Sequence, residues 1–172
     1  MICKDCYRKK NKCICRKEKK EKQENIKQIE TNAWALFSLA VRLRDADKYG
    51  MCKCITSTAV GYYIGDGMEA GHLISIGKFN TKFNFKNVNT QSHYQNCFLH
   101  GNIPTYKIEI DKKYGKGTYE QLKNAKPIRR SREYLLEVIE ESIKMIDENA
   151  KSKNLYEWTK SSFYTKLYNK YK

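Results

Sequence analysis

The stretch AGHLISIGKFNTKFNFKNVNTQSHYQN, residues 70–96, decides the fold and raises the question of function. The short β-type runs HLISI and NVNT, with YYI just before them, predict a small sheet with irregular loops. His72 opens the first run, Asn87 opens the second and Asn96 closes the stretch. Taken alone, a His beside a strand and an Asn in a turn are more often structural than catalytic.

Helical patterns flank this stretch on both sides. Before it, apolar residues recur at helical spacing from Trp34, with Asn32 as the expected N-cap and Gly50 as the expected stop. After it, GNIPTYKIEIDKKYG at 101–115 and SREYLLEVIEESIKMIDENA at 131–150 predict two more helices. The aromatic, lysine-rich tail is expected to pack onto the last helix, although such a mixture can also stack on bases.

The charge balance favours a polyanionic partner. Lys and Arg total 34 against 19 Asp and Glu, a formal net charge of +15, and nucleic acid is the most common polyanion. No stretch reaches the ~18 apolar residues that a membrane-spanning helix needs, and no signal-peptide pattern opens the chain. We therefore expect a cytoplasmic protein without a membrane partner, in the host cytoplasm if it is phage-encoded.

The N-terminus predicts a zinc knuckle over residues 1–18. Its four thiols form a C-x-x-C and then a C-x-C, and thiolates at such spacing can surround one tetrahedral zinc ion: Cys3, Cys6, Cys13 and Cys15. A disordered basic tail with incidental cysteines is the alternative. Residues 19–32 are charge-rich and predict a linker or a solvated helix.

Several separated pieces of the chain carry a family resemblance. AWALFSLAVRLRDADKYGMCKCIT, MEAGHLISIGKFNTKFNFKNVNTQ, Asn96, the GN pair at 101–102 and KYG at 113–115 together resemble the phage recombination protein family NinG, also called Rap. The resemblance implies an α+β fold with a small ββα-metal (HNH-like) core, flanked by α-helices, over residues 33–118. A C-terminal helical region would follow over residues 119–172.

The resemblance also implies a function and its residues. It implies a metal-dependent endonuclease that hydrolyses phosphodiester bonds in branched DNA such as Holliday junctions, with branched or duplex DNA as the partner. His72 matches the general base, Asn87 the residue that orients the imidazole or braces the hairpin loop, and Asn96 a ligand of catalytic Mg²⁺ or Mn²⁺. The second ligand stays open among four residues: Asp45, Asp66, Glu69 and His100.

The sequence departs from this family at its structural zinc. Where the family has two C-x-x-C pairs, this chain has Cys54 with Ser57 and Ser92 with Gln95. A rearranged Zn²⁺ site is one hypothesis, since two thiols in C-x-C and a His–Cys pair four apart form an acceptable set: Cys52, Cys54, His93 and Cys97. The alternative is a core held by aromatic packing of Tyr62, Phe79, Phe83 and Phe85.

Partners follow from the same reading. Phosphate contacts are expected from two arginines on the first helix and two lysines in the loop after His72: Arg42, Arg44, Lys78 and Lys82. A homodimer is expected from the branched substrate, with the helix of residues 131–150 as a plausible interface. Two alternatives remain, a non-catalytic nucleic-acid-binding protein on a degenerate HNH scaffold and an RNA-binding zinc-knuckle protein.

Overall fold

The computed structural model of the chain describes residues 24–65 and 67–172. The predicted zinc knuckle with Cys3, Cys6, Cys13 and Cys15 lies outside these residues, as do the first part of segment 19–32 and Asp66. The helices are α1 (Ile26–Asp45), α2 (Phe79–Lys82), α3 (Ile103–Tyr114), α4 (Thr118–Lys123), α5 (Arg132–Lys153) and α6 (Ser162–Tyr171). The strands are β1 (Met51–Lys53), β2 (Val60–Tyr62), β3 (Met68–His72) and β4 (Val88–Ser92).

Helix α1 begins earlier than its apolar pattern predicts. Asn25 is the N-cap, because its side-chain oxygen accepts from the backbone N–H of Gln28 at 2.9 Å. The predicted cap Asn32 is instead a buried residue inside the helix, and its amide donates to the hydroxyl of Tyr171. The helix ends at Asp45, so the predicted stop at Gly50 is also wrong. The boundary expected between residues 32 and 33 therefore falls within α1.

The expected small sheet is present as two antiparallel hairpins. Strand β1 pairs with β2, and β3 pairs with β4 in a register that sets His72 opposite Val88 and Met68 opposite Ser92. Helix α1 packs against β3 and β4 on one side and against α5 on the other. The α+β class is confirmed, and α1 is the element that connects the sheet with the C-terminal helices.

Helix α5 is confirmed, with Ser131 as its N-cap. Its apolar side is buried against α1, where Leu135, Ile139 and Ile146 are at most 2% exposed. This burial corrects the prediction that the apolar face of residues 131–150 forms a dimer interface, since the face is already covered within the chain. After α5, the buried Trp158 and helix α6 pack against the same core, as expected for the aromatic tail.

A second, smaller core lies under the start of the β3–β4 loop. It joins that loop to α3 and α4 through five buried residues: Leu73, Ile74, Tyr106, Ile110 and Leu122. Helix α3 has its predicted bounds and ends at Gly115, whose positive φ of 105° suits a glycine. None of the helices within residues 24–65 and 67–172 is long and apolar enough to cross a lipid bilayer.

Candidate active site

His72 ends strand β3, and its imidazole is held from two sides. Nε2 lies 3.0 Å from the backbone carbonyl oxygen of Lys82, and the ring stacks on the indole of Trp34 with centroids 4.9 Å apart. A carbonyl oxygen only accepts hydrogen bonds, so Nε2 carries the proton in the neutral ring and Nδ1 keeps its lone pair. Nδ1 is therefore the nitrogen able to take a proton from a substrate water.

Burial keeps this imidazole neutral. Removal from water lowers the pKa of His72 below its ordinary value of 6.5, and the nearby Lys82 ammonium acts in the same direction. The hydrogen bond with the Lys82 carbonyl opposes this shift without reversing it. At neutral pH the ring is thus available as a base.

Asn87 braces the loop between the two strands. Its side-chain oxygen accepts from Ile74 N–H at 2.8 Å, and its amide donates to the carbonyls of Ile74 and Thr81 at 3.1 and 3.0 Å. The residue is fully buried and makes no contact with the imidazole among these bonds. Of its two expected roles, the structure favours support of the hairpin loop over orientation of His72.

An open cleft of about 540 Å³ lies beside His72. Trp34 and Ile76 line one part, and Asn96, His100 and Gly101 line another. The structure therefore brings together three of the predicted site residues, His72, Asn96 and His100. His100 is exposed and has a positive φ of 49°.

Asn96 is oriented by a carboxylate. Its amide Nδ2 donates to Glu69 Oε2 at 2.7 Å, which fixes the position of the side-chain oxygen. That oxygen lies 3.0 Å from the place where a Cβ on Gly71 would stand. A larger residue at 71 would crowd Asn96, and a glycine immediately before His72 leaves this space open.

Gln91 is a site residue that sequence reasoning missed. It is fully buried, and its amide donates to Thr56 Oγ1 and to the Gly101 carbonyl, both at 2.9 Å. Its oxygen Oε1 has no hydrogen-bond donor among the described residues and points at Gly71, 2.0 Å from where a Cβ would stand. Strand β4 has the sequence VNTQS, with polar residues at four of its five positions, so no local sequence signal distinguishes Gln91.

A family model supports the resemblance that these residues suggest. The model described as NinG, Bacteriophage Lambda NinG protein, matches residues 3–156. The chain belongs to the NinG family. No curated protein and no solved structure shows a significant match to it. Membership of the NinG family associates the chain with phage recombination.

Asp45 does not reach the cleft in this NinG-family chain. One of its oxygens accepts from Arg44 and Lys113, and the other accepts from Arg44 and from the N–H and hydroxyl of Thr90. Burial opposes ionisation, but Arg44 and Lys113 lower the pKa of Asp45 to about 2. The structure thus gives Asp45 a structural ion pair rather than a place beside His72 and Asn96.

The four residues of the predicted rearranged zinc site do not come together. In the part of the NinG-family chain that the structure describes, the one group of three or more potential ligands is Glu69, His93 and Cys97. Cys52 is buried with its thiol donating to the Arg42 carbonyl, and burial raises its pKa to about 12. The correct partner of the His–Cys pair is therefore a carboxylate on β3, not the C-x-C thiols.

Cys54 contacts Ser92, the first residue of the segment that the resemblance sets opposite it. Its sulfur accepts from the backbone N–H of Ser92 at 3.3 Å and lies 3.5 Å from the hydroxyl of Thr56. Although burial opposes it, hydrogen bonds from Ser57 and Thr56 lower the pKa of this thiol. Hydrogen bonds thus connect the two segments here, and Phe79, Phe83, Phe85 and Tyr62 pack in the adjoining core, as in the aromatic alternative.

Arg42 and Arg44 are committed to contacts inside the NinG fold. Arg42 is 8% exposed and donates to Ser38, Tyr63 and Tyr164. Arg44 donates to Asp45 and to acceptors of the segment 85–89. The prediction that these arginines contact phosphates is corrected by this burial, whereas Lys78 is exposed and Lys82 pairs with Glu30 near the surface.

Proposed function

We propose that the protein is a metal-dependent endonuclease that hydrolyses phosphodiester bonds in branched DNA. The observation that carries the proposal is the neutral imidazole of His72, tethered through Nε2 and lining an open cleft that also contains Asn96. The branched substrate rests on membership of the NinG family and its association with phage recombination. The chemistry rests on the cleft itself.

His72 acts as the general base in this proposal. Nδ1 takes a proton from a water molecule, whose oxygen attacks phosphorus while one ester P–O bond breaks. The Lys82 carbonyl stabilises the imidazolium that forms, because it accepts from Nε2–H. Trp34 limits rotation of the ring and excludes water from one of its faces. General-base catalysis of this kind contributes roughly 10²- to 10⁴-fold to the rate.

The residues beside His72 fit a hard divalent cation. The amide oxygens of Asn96 and Gln91 converge on the space at Gly71, and the buried Gln91 oxygen has no donor among the described residues. Oxygen donors suit Mg²⁺ or Mn²⁺. Asn96 and Gln91 would hold such an ion, with His100 at the rim of the same cleft. When bound, a divalent ion stabilises the charge that develops on the phosphate oxygens.

A basic surface adjoins the cleft and supports DNA as the substrate. Trp34 and Ile76 line both the cleft and a neighbouring depression that contains Lys27, Lys82 and Arg130. Lys82 and Arg130 both form ion pairs with Glu30. These three side chains together carry one net positive charge. The basic side chains, with the exposed Lys78, lie where they could contact phosphates next to the bond at His72.

The proposal is tested with a labelled four-way junction, incubated with Mg²⁺ or Mn²⁺ and either wild-type protein or His72→Ala. We expect metal-dependent cleavage by wild type and a loss of about 10²-fold or more in the variant, with junction binding retained. Linear duplex of the same sequence measures selectivity for the branch. Equal products from wild type and His72→Ala would overturn the assignment. Binding without cleavage in either metal would favour the non-catalytic alternative.

A further inference from the structure

A second group of metal-ligating side chains lies next to the cleft. Glu69 comes from strand β3, and His93 and Cys97 come from the segment that follows β4. Their donor atoms lie within 4.8 Å of one another. The three side chains differ from the amide oxygens at Gly71 in both chemistry and exposure, since His93 and Cys97 face solvent.

The spacing of the three donors suits a tetrahedral ion. Cys97 Sγ lies 3.5 Å from His93 Nδ1 and 3.7 Å from Glu69 Oε2. Bond lengths of about 2.0 Å to nitrogen or oxygen and about 2.3 Å to sulfur give tetrahedral edges of roughly 3.3 Å between nitrogen and oxygen and roughly 3.5 Å to sulfur. His93 Nδ1 lies 2.6 Å from the other oxygen of Glu69, Oε1, and these two side chains must move apart when an ion enters. Both side chains are exposed enough to move, with 53% and 36% of their surfaces accessible.

The local backbone presents these ligands together. Residues Tyr94–Phe98 form a single π-helical turn, a rare conformation that is frequent at functional sites. His93 precedes the turn and Cys97 lies within it, while the ring of Phe98 packs edge-on against the imidazole at 5.7 Å. The turn also contains Asn96, which faces the cleft.

We propose that Glu69, His93 and Cys97 bind a zinc-type divalent transition metal, with water as the fourth ligand. A thiolate and an imidazole are soft or borderline ligands that favour Zn²⁺ over Mg²⁺. With three protein ligands at the surface, the fourth position is open to solvent. The proposed ligand set includes neither Cys52 nor Cys54.

The metal also connects to the cleft through Asn96. Glu69 accepts the Asn96 amide at 2.7 Å, so an ion that fixes the Glu69 carboxylate fixes the direction of the Asn96 oxygen as well. Asn96 is thus a partner of the proposed zinc site and a cleft residue at once. This second role rests on the proposed nuclease function, whereas metal binding by the three side chains does not.

The test compares metal content in full-length wild type, Cys97→Ser and Cys52→Ala. After loading with Zn²⁺ and removal of free ion, metal per chain is measured by mass spectrometry. We expect Cys97→Ser to hold one zinc ion fewer than wild type and Cys52→Ala to match wild type. Any zinc held by the N-terminal cysteines contributes equally to all three proteins and cancels in the difference.

Cobalt substitution and a second ligand variant complete the test. In Co²⁺-loaded protein, the sulfur-to-cobalt absorption should fall by one thiolate in Cys97→Ser, and Glu69→Gln should weaken Co²⁺ binding about tenfold or more. Circular dichroism confirms that the variants remain folded. Unchanged metal content in Cys97→Ser, or an equal loss in Cys52→Ala, overturns the site. Neither measurement involves DNA cleavage, so failure of the nuclease proposal leaves this result intact.

Discussion

The imidazole of His72 lies nearly parallel to the indole of Trp34, with 22° between the ring planes. Trp34 belongs to α1, whereas His72 ends β3. The stack therefore joins the helix that packs against α5 to the strand that carries the proposed base. Burial lowers the pKa of His72, and the indole of Trp34 covers one face of the ring.

Replacing Trp34 should make the imidazole more basic. In Trp34→Ala, water reaches the ring, and the pKa of His72 should rise toward 6.5, which NMR titration of the imidazole measures directly. Trp34→Phe keeps an aromatic ring against the imidazole, so the pKa of His72 should stay close to its lowered value. An unchanged His72 pKa in Trp34→Ala would show that the indole does not control its hydration.

The pH dependence of cleavage should follow the same group. The base must be neutral, and its pKa is below 6.5, so the cleavage rate should rise with pH through that pKa and stay level above it.

The unfolded chain binds a proton at His72 more readily than the folded protein does. Stability should therefore decrease as pH falls below 6.5, and this decrease should be smaller in His72→Ala. Single-turnover rates and urea unfolding at several pH values measure the two effects.

Asn87→Ala should destabilise the protein by about 3 kcal/mol, because buried groups of the hairpin loop lose their hydrogen bonds. The groups affected are the Ile74 N–H and the carbonyls of Ile74 and Thr81. Urea denaturation measures the change, and Asn124→Ala, at an exposed position after α4, is the matched control. A loss of cleavage with wild-type stability would instead place Asn87 in direct contact with the reaction.

The Asp45→Asn variant distinguishes between two roles for Asp45, a structural ion pair and a metal ligand. Since the pKa of Asp45 is lowered from 3.8 to about 2, its ionised form contributes about 2 kcal/mol of stability at pH 7. That contribution is present above 3.8 and disappears as pH falls through about 2, so the variant and wild type should converge in acid. Thermal unfolding across pH checks this, with the exposed Glu137→Gln as control. A stable variant that needs more Mg²⁺ for cleavage would support the ligand role.

Lys78 and Arg42 should respond differently to substitution. Lys78→Ala should weaken junction binding and reduce the slope of log affinity against log salt by about 1, as for one phosphate contact. Arg42→Ala should mainly lower stability, because its guanidinium is buried in contacts with Tyr63 and Tyr164. Lys144→Ala, exposed on α5, is the control for loss of a charge. A salt slope unaffected by Lys78→Ala would remove that lysine from the DNA interface.

The sequence predicts those parts of the fold that local patterns determine. Helices α3 and α5 follow from apolar periodicity and from Gly115 and Ser131 at their ends. The start of α1 is missed because Asn25 and Asn32 are equally good caps by residue type. Inside the helix, the Asn32 side chain bonds with Gln28, Glu24 and Tyr171, and the contact with Tyr171 comes from a distant part of the chain.

The order of the site residues along the chain can be predicted from the sequence, but the contacts between distant parts of the chain cannot. His72, Asn96 and His100 lie along one cleft, as the family resemblance implies for the first two and the four-residue spacing from Asn96 suggests for His100. The bonds of Arg44 to the segment 85–89 depend on how α1 crosses the hairpin, which no local pattern encodes. Local patterns also do not predict that Glu69 lies close to His93 and Cys97, because this proximity depends on the register of β3 against β4.

Helix α1 has a consequence for how this protein can be divided. It buries one side under the β3–β4 hairpin and the other against α5, so the segment 33–118 has no complete core of its own. Cutting the chain before α5 would open to water the core cluster that contains Leu36, Leu39 and Leu43 together with apolar residues of α5. The hairpin that carries His72 and the C-terminal helices therefore form one cooperative folding unit, and the proposed chemistry cannot be transferred to another protein as the hairpin alone.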